Sequence, residues 1–565
     1  MNQQLIECVP NFSEGNDMQI IKQITDQIES VEGVRLIDVD PGKATNRTVV
    51  TFVGQPEVVI EAAFLAIKKA GELIQMAKHK GAHPRFGATD VCPLVPVANI
   101  SMEETVKYAH KLAERVGREL GIPVYCYEFA ASEEKRKNLA NCRAGEYEGL
   151  TRKLADPAWK PDYGPAEFNN QVSRTGASAI GARNFLIAYN INLNTTSTRR
   201  ANSIAFDIRE KGRIKREGGG ITGTIVKDEY GNPVYEPGML KCVKGIGWYI
   251  EEYGIAQLSF NLTDITVTTM HQVFEAACQR AEARGLRVTG SELIGVIPLQ
   301  AMLDAGKYFL KKQQRSTGIA DSEIIKIAVK SLGLSELSPF NPQKKIIEYL
   351  LSEQNHQLVD KSLKDFLNET ASESPAPGGG SISASMAAMA AALGSMVANL
   401  SAHKRGWDHR WVEFSAEAEK GKYYMDKLTK LVDEDTEAFN KIMDAFSLPK
   451  KTEQEIALRK ESIKLATKYA IEVPLQVMHL AFETMQVIKS MAEKGNPNSV
   501  TDAGVAALAA RSGVLGAFLN VKINAKDYPD KDFVEKVMAE GKQLESKTIQ
   551  LEKEILELVE SKIKN

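Results

Sequence analysis

The segment HKGAHPRFGATDVCP, residues 79–93, places several groups that can move protons within one short loop. His83 stands directly before Pro84, and proline restricts the backbone of the residue that precedes it. An imidazole titrates near neutral pH, so His83 in a fixed conformation is suited to accept and return a proton. A two-histidine metal site is disfavoured, because Gly81 interrupts the turn that would align His79 with His83. An exposed histidine in a tight turn is the alternative to a catalytic loop.

A second polar loop, DVDPGKATNR, joins two predicted strands and carries Asp40, Asn46 and Arg47. Polar side chains in a loop between strands can point at a ligand. Asp and Asn also bond to backbone amides of their own turns. That local role is the alternative for Asp40 and for Asn46.

Two glycine-rich segments adjoin predicted strands, at residues 164–183 and 238–248. Neither contains a Walker loop or a GxGxxG fingerprint, so a phosphate site is weakly indicated. Backbone exposed at the glycines can instead line a flat aromatic ligand, with Lys241 and Lys244 available for its carboxylates.

One carboxylate is singled out by helical spacing in YYMDKLTKLVDEDTEAFNKIMDAF, residues 423–446. Asp435 falls on the apolar stripe of this helix, whereas Asp433 falls on the opposite face. A carboxylate on a core-facing stripe costs free energy unless it is paired, hydrogen-bonded or protonated. Asp435 is therefore predicted either to act as a proton donor or acceptor or to cap a neighbouring helix. The stripe comprises Tyr424, Leu428, Leu431, Val432, Phe439, Ile442, Met443 and Phe446.

Three consecutive glycines, residues 378–380, precede an alanine-rich helical segment. Backbone amides exposed at the start of a helix are suited to bind an anion or a carboxylate. A flexible entry to a closely packed helix is the alternative interpretation.

The elements that position these groups fall into two kinds. The first half shows two successive runs of β-α-β-β-α-β pattern, which predict two ferredoxin-like sheets. A ligand commonly binds in a cleft between two such domains. After residue 313 the strand pattern stops, and from residue 362 the periodicity predicts a bundle of five or more helices.

The predicted fold class is therefore α+β, with two ferredoxin-like α/β sandwich subdomains followed by an all-α helical bundle domain. The predicted boundaries are residues 1–180 and 181–325 for the two subdomains, 326–360 for a linker and 361–565 for the helical domain.

Composition narrows the functional class. A net charge of -2 over 565 residues gives no basic surface for nucleic acid or anionic membranes. Six cysteines without a C-x-x-C pair indicate a reducing cytoplasm, and no signal peptide is predicted at the start. The apolar run at residues 382–400 is nearly long enough to span a bilayer, but its small residues favour a tightly packed helix.

Several long motifs carry a resemblance to a known family. ECVPNFSEG, TNRTVVTFVG, GAHPRFGATDVCPLVPV, RAGEYEGL, GARNFLIAYNINL and VKGIGWYIEE resemble glutamate formiminotransferase. PAPGGGSISASMAAMAAALGSMVANL, LVDEDTEAF and SVTDAGVAALAARSGVLGAFLNVKIN resemble formiminotetrahydrofolate cyclodeaminase. In this order, on nearly all of one chain, the motifs resemble the bifunctional formimidoyltransferase-cyclodeaminase family.

The resemblance implies two reactions of histidine breakdown. The α/β half would transfer the formimino group of N-formimino-L-glutamate to tetrahydrofolate. The helical half would close the product to 5,10-methenyltetrahydrofolate and release ammonia. It also implies polyglutamylated tetrahydrofolate as co-substrate, no metal, and a homo-oligomer, usually an octameric ring of dimers.

The resemblance also assigns residues. His83 matches the catalytic base of the transferase, Asp40 would orient it, and Arg47 or Arg85 would hold a substrate carboxylate. Asp435 matches the aspartate of the cyclodeaminase, where it would protonate the leaving nitrogen. The segments implied to contact folate contain Gly164, Pro165, Ala166, Phe168, Gly176, Met239, Lys241, Lys244 and Gly245.

Two points stay open. The helical half has two alternative roles, as a methenyltetrahydrofolate cyclohydrolase or as a non-catalytic assembly and channelling module. Residues 215–239 are longer than expected for the family and predict a hairpin with a YGNP turn. Their position beside a folate segment leaves the contacts there unassigned.

Overall fold

The computed structural model describes residues 4–43, 45–81, 84–219, 223–351 and 358–564. The chain divides into two compact units. The α/β unit comprises residues 1–305 and 328–351, and the helical unit comprises 306–327 and 352–565. Each is described by itself.

The first sheet of the α/β unit contains the first predicted β-α-β-β-α-β run. Strands β3 and β4 form a hairpin, β1 and its continuation β2 lie between β4 and β5, and all these pairings are antiparallel. Strands β7 and β6 then extend the sheet parallel to β5. The elements are β1 (Leu5–Cys8), β2 (Asn11–Phe12), α1 (Met18–Glu29), β3 (Val34–Gly42), β4 (Arg47–Gly54), α2 (Pro56–Leu73), β5 (Thr89–Ala98), α3 (Met102–Leu120), β6 (Val124–Glu128), α4 (Glu134–Lys137), α5 (Leu139–Arg143), α6 (Leu150–Ala155), α7 (Asn170–Thr175) and β7 (Ser178–Ala182).

Side chains alternate between the two faces of this sheet, as the strand period of two requires. On β1, β4 and β5 the even-numbered side chains pack in a core with helices α1, α2 and α3. These core residues are Ile6, Cys8, Val50, Phe52, Cys92 and Leu94. The odd-numbered side chains face the other way and line a cavity described below.

Helices α1 and α3 have the bounds that the sequence predicts, whereas the prediction for α2 is too long. Helix α2 ends at Leu73, and the chain turns at Ile74 into extended backbone. The Ile74 side chain is buried in the core, which favours this turn over another turn of helix. His79 therefore follows a separate 3-10 turn, Met76–Lys78, rather than the end of α2.

The second sheet has the antiparallel order β11-β12-β8-β13, which is the ferredoxin-like arrangement of the second predicted run. The predicted strand at residues 182–193 is shorter, because Arg183 to Leu186 form a connection before β8. The elements are β8 (Ile187–Leu193), α8 (Thr198–Ile208), β9 (Arg213–Ile214), β10 (Tyr235–Glu236), β11 (Val243–Ile250), β12 (Ile255–Leu262), α9 (Met270–Glu282) and β13 (Val288–Ile294).

The extra segment at 215–239 has the predicted hairpin character in its described part. Strands β9 and β10 pair at its base, and Val226 and Val234 continue the ladder. Asp228 closes the turn by accepting hydrogen bonds from the amides of Tyr230 and Asn232. Residues 220–222 lie outside the described residues.

From residue 362 the described chain is helical, as predicted, and residues 299–351 contain helices separated by loops. Residues 328–351 of the predicted linker group with the α/β unit and contain two short helices. The predicted domain boundaries remain predictions. The helices are α10 (Leu299–Lys312), α11 (Asp321–Leu332), α12 (Pro342–Lys345), α13 (Ile347–Leu351), α14 (Leu363–Thr370), α15 (Gly379–Ala402), α16 (Trp411–Ser447), α17 (Glu453–Lys494), α18 (Val500–Ala525) and α19 (Lys531–Ile563).

Small residues let the central helices of this unit approach closely. A Cβ atom on Gly513 of α18 would lie 2.9 Å from Ala387 Cβ of α15. Helix α15 and the segment Pro497–Ala525 are long and apolar enough to span a membrane by length and composition. In the helical unit, 61% and 50% of their most apolar windows are buried.

Candidate active sites

Asp90 anchors the described part of the loop at residues 79–93. Its side chain is 1% exposed, and its Oδ1 accepts a hydrogen bond from the Phe86 amide at 3.1 Å. Its Oδ2 contacts Arg47 Nη1 at 2.8 Å and also pairs with Arg143 Nη2. One buried carboxylate thus connects the loop that follows Pro84 with two arginines. His83 itself, with Ala82, lies outside the described residues.

Arg47 is oriented from two sides. Its Nε and Nη2 donate to Asn11 Oδ1 at 2.9 and 2.6 Å, while Nη1 faces Asp90. Burial lowers the pKa of Arg47 to about 10, and Asp90 opposes that shift. The guanidinium therefore remains charged at neutral pH.

His79 and Asn46 fasten the chain just before His83. The His79 Nε2 lies 3.0 Å from the Asn46 carbonyl oxygen, and Asn46 Nδ2 donates to the Lys80 carbonyl at 2.8 Å. A Cβ atom on Gly81 would overlap the Thr45 carbonyl oxygen, so only glycine allows this approach. Asn46 therefore bonds to the backbone, which is the alternative role that the sequence indicated for it. Among the described residues, no group of three or more His, Cys, Asp or Glu side chains could hold a metal ion.

A cavity of about 700 Å³ opens beside these arginines within the α/β unit. Its walls are the odd-numbered face of the first sheet and parts of β8, β11 and β12 in the second. Of the predicted binding residues, Arg47, Lys244 and Gly245 line it. Six basic residues line it among those that the structure describes and are named here the cavity cations: Arg47, Arg143, Arg183, Arg209, Lys211 and Lys244. This wall suits a ligand with several carboxylates.

The other predicted folate residues are absent from that lining. Gly164 packs against α3, where a Cβ atom would overlap the Ile122 carbonyl oxygen. The Phe168 ring centroid lies 6.3 Å from that of Tyr147, whose backbone amide donates a hydrogen bond to the Arg85 carbonyl. Gly176 has a φ of 65° and forms a bridge with Gly87. The segment 164–176 therefore contacts the loop that carries Arg85 and Phe86.

The remaining predicted residues have the following positions. Arg85 pairs with Glu148, and its Nη1 lies 3.9 Å from Glu146. Met239 is 43% exposed, and its Sδ lies 3.0 Å from Arg280 Nε. The Lys241 carbonyl accepts a hydrogen bond from Thr268, while Pro165 and Ala166 are half-buried. Their roles stay predictions.

Asp40 is half-buried at the end of β3. Burial raises its pKa, nearby Asp38 and Glu292 raise it further, and Lys345 opposes the shift. Lys345 also lies 3.7 Å from Asp38. The expected role of Asp40 toward His83 stays a prediction.

In the helical unit, the two features that the sequence singled out meet. Asp435 Oδ2 accepts hydrogen bonds from the Ser381 amide at 2.8 Å and from Ser381 Oγ at 3.2 Å, at the start of α15. The glycine-rich helix start thus binds a carboxylate from its own chain. A Cβ atom on Gly380 would overlap the Asp435 carboxyl.

Two opposing effects act on the pKa of Asp435. Burial raises its pKa, and the two hydrogen bonds from Ser381 lower it by a smaller amount. The net result is a raised pKa, which makes protonation easier than for an exposed aspartate. The Asp435 side chain is partly, not fully, buried.

The predicted apolar stripe of α16 is confirmed in part. Leu428, Leu431 and Val432 are buried, but Met443 and Phe446 are 53% and 51% exposed, so the prediction is wrong at its end. The start of α17, which follows α16 in the chain, likewise exposes Ile456, Leu458 and Leu465. Asp433, on the opposite face, accepts a hydrogen bond from the Leu358 amide at 2.7 Å.

Two candidate sites, a cation-rich cavity in the α/β unit and a partly buried carboxyl in the helical unit, indicate a two-site enzyme. Family models match nearly the whole chain: the formiminotransferase domain, N-terminal subdomain, at residues 5–183, the formiminotransferase domain at 188–352, and formiminotransferase-cyclodeaminase at 362–543. The formimidoyltransferase-cyclodeaminase of Gallus gallus is 44% identical over 95% of this chain and 97% of its own. The chain belongs to the formimidoyltransferase-cyclodeaminase family.

Relatives of each half are also known separately. The glutamate formimidoyltransferase of Thermoplasma acidophilum is 40% identical over 54% of this chain and 92% of its own. The methenyltetrahydrofolate cyclohydrolase of Methylorubrum extorquens is 38% identical over 36% of this chain and 98% of its own. A solved formiminotetrahydrofolate cyclodeaminase from Thermotoga maritima is 29% identical over 36% of this chain and 98% of its own, with a TM-score of 0.33.

Proposed function

We propose that this enzyme transfers the formimino group of N-formimino-L-glutamate to tetrahydrofolate and then cyclodeaminates the product. The second step yields 5,10-methenyltetrahydrofolate and ammonia. The observation that carries the proposal is the full-length match to bifunctional relatives, together with one candidate site in each unit.

The cavity of the α/β unit supports the transfer. Its six cations can hold the carboxylates of formiminoglutamate and of the folate tail. Nitrogen N5 of tetrahydrofolate attacks the formimino carbon, and His83 takes the proton that N5 loses. His83 returns that proton to the glutamate nitrogen as the carbon–nitrogen bond breaks. The ion pair of Arg47 with Asp90 holds the loop that follows His83 against the wall of the cavity.

The carboxyl of Asp435 supports the second reaction. Nitrogen N10 attacks the formimino carbon of the intermediate and closes the ring, after which ammonia must leave. Expulsion requires a proton on the departing nitrogen. Asp435 supplies it from a carboxyl whose pKa burial raises above that of an exposed aspartate.

A second candidate for the helical unit is methenyltetrahydrofolate cyclohydrolase activity, which the Methylorubrum relative supports. A coupled assay of the full chain with formiminoglutamate and tetrahydrofolate separates the two. We expect ammonia and methenyl absorbance to rise together, with one ammonia for each formiminoglutamate consumed. Loss of added methenyltetrahydrofolate without ammonia release would instead establish the cyclohydrolase.

The co-substrate, assembly and location are further parts of the proposal. The folate is polyglutamylated tetrahydrofolate, and the protein forms an octameric ring of dimers. Apolar side chains exposed along one face of α18 support an interface there: Val505, Leu508, Leu519 and Ile523. Four buried free thiols support a reducing cytoplasm.

Glutamate at Leu508 should weaken this assembly. Leu508 is 45% exposed on the apolar face of α18, so a charge there would be buried in the proposed interface. We expect Leu508→Glu to lower the molar mass measured by light scattering. Leu458→Glu, at a site 64% exposed on α17, is the matched control and should keep the mass of the wild type. Equal masses for all three proteins would contradict the interface.

A methyl group at Gly380 should displace Asp435 and impair the second reaction alone. We expect Gly380→Ala to slow ammonia release by about 10- to 100-fold, because the carboxyl loses its alignment. Transfer from formiminoglutamate should be unchanged. Gly504→Ala is the control, because its Cβ would make an ordinary 3.4 Å contact with Val559. Unchanged ammonia release in Gly380→Ala would exclude this geometry.

A further inference from the structure

A buried carboxyl, Glu7, lies on the wall of the cavity in the α/β unit. It is 4% exposed, on the central strand β1, with Val53 and Val95 as its partners on the neighbouring strands. Ile6 and Cys8 on either side point into the core, so Glu7 points into the cavity. Backbone pairing on both sides of β1 fixes its position.

The Glu7 carboxyl lacks a protein partner in the described part of the chain. Its main charged neighbour is Arg183, and none of the described residues forms a hydrogen bond or ion pair with it. A buried carboxylate costs free energy unless a cation or hydrogen-bond donors compensate it. A ligand that brings a cation into the cavity would supply that compensation.

The other acidic groups among the described lining residues are compensated more fully than Glu7. Glu210 accepts a hydrogen bond from the Cys242 amide at 2.8 Å, and Glu128 has Lys244 and Arg183 as its charged neighbours. Tyr127 and the six cavity cations are the other titratable and charged groups among the described residues that line the cavity. Glu7 is therefore the carboxyl best placed to meet a positive charge on the substrate.

The proposed donor substrate carries such a charge. Its glutamate part has two carboxylates, which the cavity cations match, and its formimino group is an amidine, a strong base that is protonated at neutral pH. A planar amidinium can donate two parallel hydrogen bonds to one carboxylate. We propose that Glu7 binds the formamidinium group of the donor and makes the site selective for formimino over formyl donors. The inference rests on the proposed transferase function.

The pH dependence of this binding has a defined sign. Burial raises the pKa of Glu7 to about 7, while Arg183 opposes the shift. Below this pKa the carboxyl is neutral and binds the cation poorly. Affinity for the amidinium should therefore rise as the pH increases through about 7.

Calorimetric binding tests the proposal on the full-length protein without turnover. Wild type should bind N-formimino-L-glutamate at least about 100-fold more tightly than N-formyl-L-glutamate, a neutral analogue. Glu7→Gln should lose most of that preference by weakening formimino binding alone. Glu128→Gln, a matched control, should change the preference by less than about 3-fold.

The outcomes are distinct. An unchanged preference in Glu7→Gln overturns the proposal, and equal weakening of both ligands assigns Glu7 a purely structural role. Failure of wild type to bind formiminoglutamate overturns the proposed transferase function instead. Glu7→Gln should melt no lower than wild type near pH 8, because it removes a buried charge. Should the variant not fold, a wild-type formimino preference that is flat between pH 6 and pH 8 overturns the proposal on its own.

Discussion

Replacing Asp435 with asparagine should lower ammonia release by about 10²- to 10⁴-fold while formimino transfer continues, because the change removes one acid–base group. Asparagine keeps an oxygen that can accept the Ser381 amide, so the start of α15 stays capped. It cannot give a proton to the departing nitrogen. The formimino-folate intermediate should therefore accumulate, and a quenched time course separated by chromatography would show it.

Asp433→Asn is the matched control for this experiment. Asp433 lies two residues away on the same helix, is also half-buried, and accepts a hydrogen bond from the Leu358 amide. We expect ammonia release within about 2-fold of wild type, since a neutral acceptor preserves a backbone hydrogen bond. If Asp435→Asn releases ammonia as fast as this control, Asp435 is no proton donor, and the assembly-module alternative gains support.

Replacing Asp90 with asparagine should destabilise the α/β unit by about 3–5 kcal/mol, because it leaves two largely buried guanidinium groups, 12% and 15% exposed, without their shared carboxylate. Asparagine Oδ1 can still accept a hydrogen bond from the Phe86 amide. The loss of stability therefore measures mainly the removal of the negative charge. Scanning calorimetry should show a transition lowered by roughly 10 °C. Transferase activity should also fall, since Arg47 loses its fixed orientation.

A surface pair provides the comparison for Asp90. Asp26→Asn breaks the exposed pair with Lys22, whose side chains are 45% and 72% exposed. An exposed pair of this kind contributes at most about 1 kcal/mol, so this variant should melt close to wild type. Similar melting of the Asp90 and Asp26 variants would show that the buried arginines are stabilised by other partners.

Periodicity predicted the elements that bury one face along their whole length. Helices α1 and α3 begin and end where the sequence indicates, and both β-α-β-β-α-β runs fold into sheets of the expected order. The parallel pairing of β5 with β7 and of β7 with β6 was not predicted. A short strand such as SAIGA has neither alternation nor length, and its pairing with β5 depends on residues distant in sequence.

Residues of the candidate sites could be predicted from the sequence only where the pattern of a single helix or strand singles them out. Asp435 stood out because a charge falls on an apolar stripe, but its bond to Ser381 joins residues 54 positions apart. Asp90 was visible only as one of several polar residues, since its arginine partners come from β4 and α5. Glu7 could have been noticed as a charged residue inside the strand LIEC. Strand alternation alone does not say whether its side chain points into the core or into the cavity.

The alternation of side chains along β1, β4 and β5 divides the effects of mutation by residue parity. Changes at odd positions such as Val49 and Thr51 should alter which ligands are accepted, and changes at even positions such as Val50 should alter folding. Substitutions at odd positions can then change ligand specificity without disturbing the core. The same rule makes single-residue insertions in β1 uniquely damaging, because a shift of one position would drive Glu7 into the helix-covered core.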